Sequence, residues 1–304
     1  MTKPNFFIIG APKCGTTAMH FYLNAHPEIF MSRKELHYFG SDMRSPIFVN
    51  DLQQYLSFFS DARDQKRIGE AAIWYLYSTR AAAEIKEFSP HAKVIAIIRN
   101  PADMIYSYHA QRLYNGNEDV SEFERALALE EERRCGRGLP ADPHPLHGLS
   151  YLELAKYTEQ LRRYFTVLGR ENVMVIIFDD MAKRLDAVFE DTLKFLGVDP
   201  TVGIDPALKS DPCVVNTTRR VRNLRLHDFL KHPPTAVVEV GRLFVPAFVR
   251  HRIANTLQHY NMERGARRPL PTALRQRLHD YYRHDVNELS KMLNRDLMAL
   301  WKIV

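Results

Sequence analysis

Three short apolar runs along the chain have the length and residue types of buried β-strands. They are FFII at 6–9, VIAII at 94–98 and VMVIIF at 173–178. After each run, apolar residues recur at helical spacing, so strands alternate with helices. Because parallel strands are joined by helical crossovers, this alternation predicts an α/β fold with a central parallel sheet flanked by helices.

Capping residues predict the boundaries of two of these helices. Asn100 is a good N-cap, and Pro101 suits the first position of the helix that follows the second strand. Ser150 and Glu153 form a capping box, which predicts one continuous helix that ends at Gly169. Both predictions rest on local sequence alone.

Two further helices are predicted from amphipathic patterns in the second half of the chain. Their apolar residues fall on one helical face, which we expect to pack on the core. The apolar positions are Leu185, Phe189, Leu193 and Leu196 before Gly197 in the first helix, and Leu274, Leu278, Tyr281, Leu289 and Leu293 in the second.

Two segments interrupt the alternation. Residues 114–149 are polar and contain PADPHP at 140–145, which is incompatible with a long helix. A lid over a binding site and a plain surface insertion are equally good interpretations. Residues 236–253 mix apolar residues with arginines, and we favour packing against the sheet over a flap or a membrane-surface element.

Composition limits the class of protein. With 304 residues, 45% of them apolar, the chain can bury the core of one large domain, the simpler expectation, or of two modest domains. The net charge of +6 is too small to indicate nucleic acid, but it suits an anionic ligand. Three widely spaced cysteines exclude a disulfide framework and a Cys-x-x-Cys metal site.

Targeting signals are also not evident in the sequence. The first strand begins at Phe6, which leaves no room for a signal peptide, and no apolar stretch reaches 18 residues. Together with the cysteine pattern, this predicts a soluble cytoplasmic protein.

The loop after the first strand has the features of an anion site. Gly10 and Gly15 flank Lys13, and a helix begins at Thr16 and Thr17. This order gathers backbone N–H groups and a helix N-terminus around one small volume, which suits a phosphate or sulfate. The spacing resembles a nucleotide P-loop, but the lysine lies inside the loop. The alternative is a tight turn with a solvated lysine.

A second anion-binding element follows the second strand. Arg99 lies at the carboxyl end of that strand, where parallel sheets bind their ligands. Ser107 follows about two helical turns beyond Asn100, so both side chains can reach one phosphate. A capped helix with a surface salt bridge is the alternative. Two such elements in one sheet favour an anionic nucleotide with two charged ends.

The two motifs PKCGTT at 12–17 and IIRNPADMIYSYH at 97–109 resemble those of sulfotransferases that use 3′-phosphoadenosine 5′-phosphosulfate. The resemblance implies a P-loop-like three-layer fold. It also implies that the first loop holds the 5′-phosphosulfate and that Arg99 and Ser107 hold the 3′-phosphate. The implied ligands in the first loop are Lys13, Cys14, Gly15, Thr16 and Thr17.

The segment RKELHYF at 33–39 resembles the Lys-Glu-x-His-(Phe/Tyr)-Phe element of the carbohydrate branch of that family. The resemblance implies that Glu35 is the catalytic base, with His37 as its neighbour and Lys13 as the catalytic cation. In an extended segment, residues two apart point the same way, so Glu35 and His37 can share a cleft and either can accept a proton. An exposed Glu-Lys pair beside a half-buried histidine is the alternative.

Two later segments match the family less closely. GEAAIWYLY at 69–77 keeps Glu70 and Tyr75 of a Gly-Glu-x-Ser-Pro-x-Tyr pattern, but Ala72 and Ile73 replace the serine and proline. NTTRRVRN at 216–223 resembles a late loop over the nucleotide, whose phosphate ligands are Arg220 or Arg222. A solvated basic turn explains this segment equally well.

The resemblance thus implies one sulfotransferase domain over residues 1–304, with insertions near 114–149 and 233–262 that shape the acceptor site. It would transfer sulfate to a hydroxyl of a sugar, glycolipid or other metabolite, release adenosine 3′,5′-bisphosphate and require no metal. Peripheral membrane contact through the apolar segment is compatible with a lipidic acceptor. The competing hypotheses are a P-loop kinase or NTPase, which needs magnesium and ATP, and a non-catalytic nucleotide-binding module.

Overall fold

A five-stranded parallel sheet forms the centre of the fold, in the order β2-β3-β1-β4-β5. The computed structural model describes residues 2–43, 45–210, 219–221, 223, 226, 229, 256, 260–264 and 269–303. The strands are β1 (Phe6–Gly10), β2 (Ile29–Met31), β3 (Arg67–Ala71), β4 (Lys93–Ile98) and β5 (Val173–Ile177). The predicted α/β class and parallel sheet are therefore confirmed.

Helices connect the strands of this sheet and continue beyond it. Between β1 and β4 lie α1 (Thr16–Asn24), α2 (Leu52–Ser57) and α3 (Ala81–Phe88). Between β4 and β5 lie α4 (Pro101–Asn115), α5 (Phe123–Ala128), α6 (Glu130–Arg134), α7 (Tyr151–Leu154) and α8 (Tyr157–Leu168). After β5 come α9 (Phe178–Lys183), α10 (Leu185–Leu196), α11 (Pro206–Ser210), α12 (Thr272–Leu293) and α13 (Leu297–Trp301).

The middle of the sheet is closely packed. Every residue of β1 is buried, because β3 and β4 pair with its two edges and helices cover the faces. Gly69 of β3 lies in register with Phe6 on one side and Met31 on the other. A Cβ atom on Gly69 would lie 2.2 Å from the Phe6 ring and 2.5 Å from the Met31 sulfur. Only glycine leaves room for both side chains.

Most capping predictions are confirmed, but the predicted helix between Ser150 and Gly169 is broken. The structure has α7 and α8, and the backbone leaves the helical region at Lys156. The Gln160 side-chain amide donates to the carbonyl oxygens of Glu153 and Leu154, at 3.1 and 3.4 Å. In a continuous helix these two carbonyl groups would accept backbone N–H groups of the next turn. The Gln160 amide replaces those donors, so both carbonyl groups keep a hydrogen-bond partner at the break.

Two smaller predictions are corrected. Phe178 belongs to α9 and not to the preceding strand. In α12 the buried tyrosine is Tyr282, whose hydroxyl donates to the Leu152 carbonyl at 2.9 Å, while Tyr281 is 45% exposed. The reason is geometric: from Leu278, a step of four residues stays on the buried face of this helix.

The described residues fall into two compact units. The first comprises 1–105, 152–216 and 272–304, and the second comprises 106–151 and 217–271. The expectation of a single domain over 1–304 stays a prediction, as do the proposed roles of both insertions. The segment 236–253 lies outside the described residues. Within the described part of the chain, none of the helices combines the length and apolarity needed to cross a bilayer.

The second unit has an ion pair in its interior. The Arg133 guanidinium donates two hydrogen bonds of 2.7 Å to the Glu118 carboxylate, and the Tyr151 hydroxyl donates a third of 2.7 Å. Both charged side chains are almost fully buried. Burial alone would raise the pKa of Glu118, but Arg133 and the other donors lower it. The sequence predicted that residues 114–149 form no long helix. In the structure this segment contains only short helices after the end of α4 at Asn115.

Candidate functional site

The glycine loop and Arg99 lie at the carboxyl edge of the sheet. β1 and β4 are parallel neighbours, and the Ala11 N–H donates to the Ile97 carbonyl at 2.7 Å where the two strands end. The strand order reverses between β1 and β4, and open α/β sheets bind ligands at such a switch point. This edge is therefore the candidate site.

The glycine loop ends at the N-terminus of α1. Gly15 caps this helix with a φ of 90°, which favours glycine, and Lys13 has a φ of 59°. Thr16 and Thr17 are the first two residues of the helix, so their N–H groups lie at its positive end. This backbone conformation is compatible with an anion site, and the roles of these residues as ligands stay predictions.

Cys14 contributes to this loop through its backbone only. Its thiol is fully buried and donates to the Pro12 carbonyl at 3.3 Å. Burial raises the pKa of the thiol to about 12, although Arg99 and Lys13 act in the opposite direction. The side chain is thus a neutral core group, and a ligand can meet only the peptide of this residue.

Arg99 and Ser107 lie on consecutive elements. Arg99 directly follows β4, and its guanidinium lies 4.7 Å from the centre of the Phe178 ring. The side-chain oxygen of Asn100 accepts the Ala102 N–H at 3.0 Å, as an N-cap should, and α4 carries Ser107. Their joint contact with one phosphate stays a prediction.

Glu35 and His37 form a close pair. The His37 Nε2 atom lies 3.0 Å from the Glu35 Oε2 atom. The predicted extended segment is wrong, since both residues have left-handed backbones with φ values of 65° and 53°. The turn is held by the Tyr75 hydroxyl, which accepts the N–H groups of Tyr38 and Phe39 at 2.9 and 3.3 Å.

The glutamate is the accessible member of the pair. The Glu35 side chain is 34% exposed and the His37 side chain is 5% exposed. Burial raises the pKa of Glu35, but the His37 hydrogen bond, the Lys34 ammonium and the Ile73 N–H together lower it to about 2. Glu35 is therefore ionised at neutral pH. The Ile73 N–H donates to Glu35 at 3.1 Å, and the proline expected at this position would lack this donor.

Lys34 is a site residue that sequence reasoning missed. Its Nζ atom donates to the Thr17 hydroxyl at 2.7 Å and lies 3.3 Å from the Glu35 Oε1 atom. It thereby connects the glycine loop with the glutamate. The only signal in the sequence was a lysine inside the matched motif, and its two contacts depend on the tertiary fold.

Glu70 lies fully buried behind the Glu35 segment. The Tyr55 and Tyr75 hydroxyls donate to its carboxylate at 2.6 and 2.7 Å. Burial raises the pKa of Glu70 to about 7, with a smaller contribution from the charge of Glu35, while the two tyrosine hydrogen bonds oppose the shift. Tyr55 was not anticipated, because it lies between the matched segments 33–39 and 69–77.

The structure does not describe the side chains of the two arginines predicted as further phosphate ligands, Arg220 and Arg222. The backbone of Arg220 lies in strand β6 (Arg219–Val221), which pairs antiparallel with β7 (Met262–Arg264). Arg222 lies outside the described residues. Their roles as phosphate ligands stay predictions. Within the described ranges, no cluster of three or more His, Cys, Asp or Glu residues could hold a metal ion.

A family comparison identifies a domain in most of the chain. A model described as "Sulfotransferase domain" matches residues 3–223. The crystal structure of a sulfotransferase from Alicyclobacillus acidocaldarius is similar at a TM-score of 0.74 and 26% identity, covering 99% of this chain and 100% of that one. The similarity thus extends over sequence and fold.

Two curated relatives act on glycans by name. Bifunctional heparan sulfate N-deacetylase/N-sulfotransferase 2 from Bos taurus is 24% identical over 294 residues, which cover 90% of this chain. Carbohydrate sulfotransferase 15 from Mus musculus is 25% identical over 251 residues, which cover 65% of this chain. The chain spans 31% of the length of the first relative and 44% of the second.

Proposed function

Because the chain belongs to the sulfotransferase domain family, we propose that it transfers a sulfuryl group from 3′-phosphoadenosine 5′-phosphosulfate to a hydroxyl of a sugar, glycolipid or similar metabolite. The observation that carries this proposal is the ionised, partly exposed Glu35 joined through Lys34 to the anion-binding loop. A base and a donor loop are the two parts that such a transfer requires.

The proposed place of the donor is the carboxyl edge of the sheet. Lys13 and the N–H groups of the loop and of Thr16 and Thr17 would hold the 5′-phosphosulfate at the start of α1. Arg99 and Ser107 would hold the 3′-phosphate, with Arg220 or Arg222 as further ligands. This assignment gives each end of the nucleotide its own cations.

Transfer then proceeds by in-line displacement at sulfur. The acceptor oxygen forms a new S–O bond while the bond between sulfur and the 5′-phosphate oxygen breaks, and its electron pair stays on that phosphate. Lys13 and the loop N–H groups stabilise the charge that develops there, each typically by roughly 10²- to 10³-fold in rate. Adenosine 3′,5′-bisphosphate is the product.

Glu35 is the base in this scheme and accepts the proton of the acceptor hydroxyl. Its exposure supports this role over His37, which is buried and orients the carboxylate. A carboxylate with a low pKa is a weak base, so proton transfer would follow the formation of the S–O bond, which acidifies the hydroxyl.

The acceptor class is supported by the names of the relatives, and a cavity that His37 borders is the proposed place for the acceptor. This cavity of about 890 Å³ has His37, Tyr38, Phe39, Ser45 and Glu84 in its lining. Aromatic walls with a few polar groups suit a small hydroxylated molecule. Cytoplasmic location and peripheral membrane contact stay predictions.

Calorimetric titration with adenosine 3′,5′-bisphosphate tests the donor site. Without metal, the wild type should bind it, Arg99→Ala should bind it at least tenfold more weakly, and the exposed Arg63→Ala should match the wild type. Preference for magnesium-ATP would favour a kinase instead.

A transfer assay with the labelled donor and a panel of sugar and glycolipid acceptors tests the base. Glu35→Gln should lose transfer by roughly 10²- to 10⁴-fold and keep its affinity for the bisphosphate. Loss of transfer in His37→Ala with full activity in Glu35→Gln would move the base to His37. A wild type that binds the donor and transfers nothing would indicate a binding module.

A further inference from the structure

The Lys34 ammonium lies between two groups with different tasks in the proposed reaction. It is 2.7 Å from the Thr17 hydroxyl, at the start of α1, and 3.3 Å from the Glu35 carboxylate. Its side chain is only 18% exposed, so both contacts form in a partly desolvated place. The cation therefore belongs to the site and not to the solvated surface.

The two partners of Lys34 differ in how strongly they hold it. The Thr17 hydroxyl is neutral, and the Glu35 carboxylate is shared with His37 and the Ile73 N–H. An anionic sulfuryl oxygen beside Thr17 would be a stronger partner than the hydroxyl, because charge-assisted bonds are about twice as strong as neutral ones. The flexible lysine stem allows the ammonium to shift between the two sides.

We propose that Lys34 is a further catalytic residue that couples donor occupancy to the base. Without donor its ammonium holds Glu35; with donor it contacts the sulfuryl oxygens beside Thr17. As it leaves the carboxylate, Glu35 becomes a stronger base, and only in the complex that needs one. This inference rests on the proposed function, and the substrate group it names is the sulfuryl moiety.

The decisive comparison is between donor and product, because only the donor carries the sulfuryl group. Lys34→Met keeps the stem and removes the charge, and its affinity for the donor without acceptor should fall about tenfold. Its affinity for adenosine 3′,5′-bisphosphate should stay at the wild-type value. Lys34→Arg should restore much of the difference, and the exposed Lys66→Met should behave as the wild type.

Two kinetic readouts accompany the titrations. Turnover of Lys34→Met should fall by roughly 10²-fold. The acid limb of its kcat/KM profile should move to higher pH, because the free enzyme has lost the ammonium that stabilises the ionised Glu35. A role in packing alone would not change the pH profile.

Several outcomes would overturn the inference. If Lys34→Met loses affinity for donor and product equally, Lys34 has only a structural role. If Lys34→Met keeps the wild-type ratio of donor to product affinity, Lys34 does not contact the sulfuryl group. A wild type that binds neither compound would remove the proposed function and this inference together. A further outcome separates the two ideas. If Glu35→Gln transfers at the full rate, Glu35 is not the base. If Lys34→Met nevertheless loses the preference for donor over product, the contact between Lys34 and the sulfuryl group stands.

Discussion

Glu70 illustrates at the scale of one residue how burial changes a charge. Its pKa is raised from 4.5 to about 7, so the folded protein retains a proton that the unfolded chain releases. This contribution to stability is complete below about pH 4.5, declines as pH rises, and is lost above about pH 7. Its full size is on the order of 3 kcal/mol.

The comparison of wild type with Glu70→Gln tests this directly. Between about pH 5 and pH 8, the free energy of unfolding of the wild type should decline relative to that of the variant. Urea unfolding at several pH values measures both, and Glu87→Gln, an exposed glutamate on α3, serves as the control. Parallel pH profiles for wild type and Glu70→Gln would contradict the shifted pKa.

Individual residues show how much of the candidate site could be predicted from the sequence. The types of Lys13, Glu35 and His37 indicated an anion loop and a proton acceptor, and the structure brings Glu35 and His37 together. The backbone that does this was predicted wrongly, because the left-handed turns depend on the Tyr75 hydroxyl, which lies 36 to 37 residues away in sequence. Lys34 was missed for the same reason.

At the scale of one strand, Gly69 keeps β3 close to both of its neighbours. In Gly69→Ala the new methyl group would meet the buried Phe6 ring and the Met31 sulfur. Overpacking of this kind costs about 1–3 kcal/mol, and we expect the midpoint of urea unfolding to fall accordingly. Gly203→Ala has open space around the new Cβ and should leave the midpoint unchanged. Equal midpoints for both variants would refute the close packing.

Helix boundaries were predictable where the signal is local. Asn100, Gly169 and Gly197 end or begin helices as expected, because a cap acts on backbone groups within a few residues. The break at Lys156 and the burial of Tyr282 were not predictable in this way. Both depend on which distant element covers the helix, and periodicity alone gives the face of a helix only to within one residue.

The net charge of +6 acts at the scale of the whole molecule. It favours association with an anionic nucleotide, and salt screens this attraction over a length of about 10 Å at 0.1 M. Affinity for adenosine 3′,5′-bisphosphate should therefore fall several-fold between roughly 0.05 and 0.3 M salt. Calorimetry should give a smaller salt dependence for Arg99→Ala, and a salt-independent wild type would exclude charge as a main cause of binding.

The central position of β1 also has a consequence for synthesis on the ribosome. β1 leaves the ribosome before β2, β3 and β4, yet its two sheet partners are β3 and β4, and β4 begins only at Lys93. At translation rates of about 5–20 residues per second, the run FFII waits roughly 4 to 18 seconds for its second partner, β4, to be synthesised. During that interval the nascent chain exposes a strand whose residues are all buried in the folded protein, so chaperone binding would matter most at this stage of cotranslational folding.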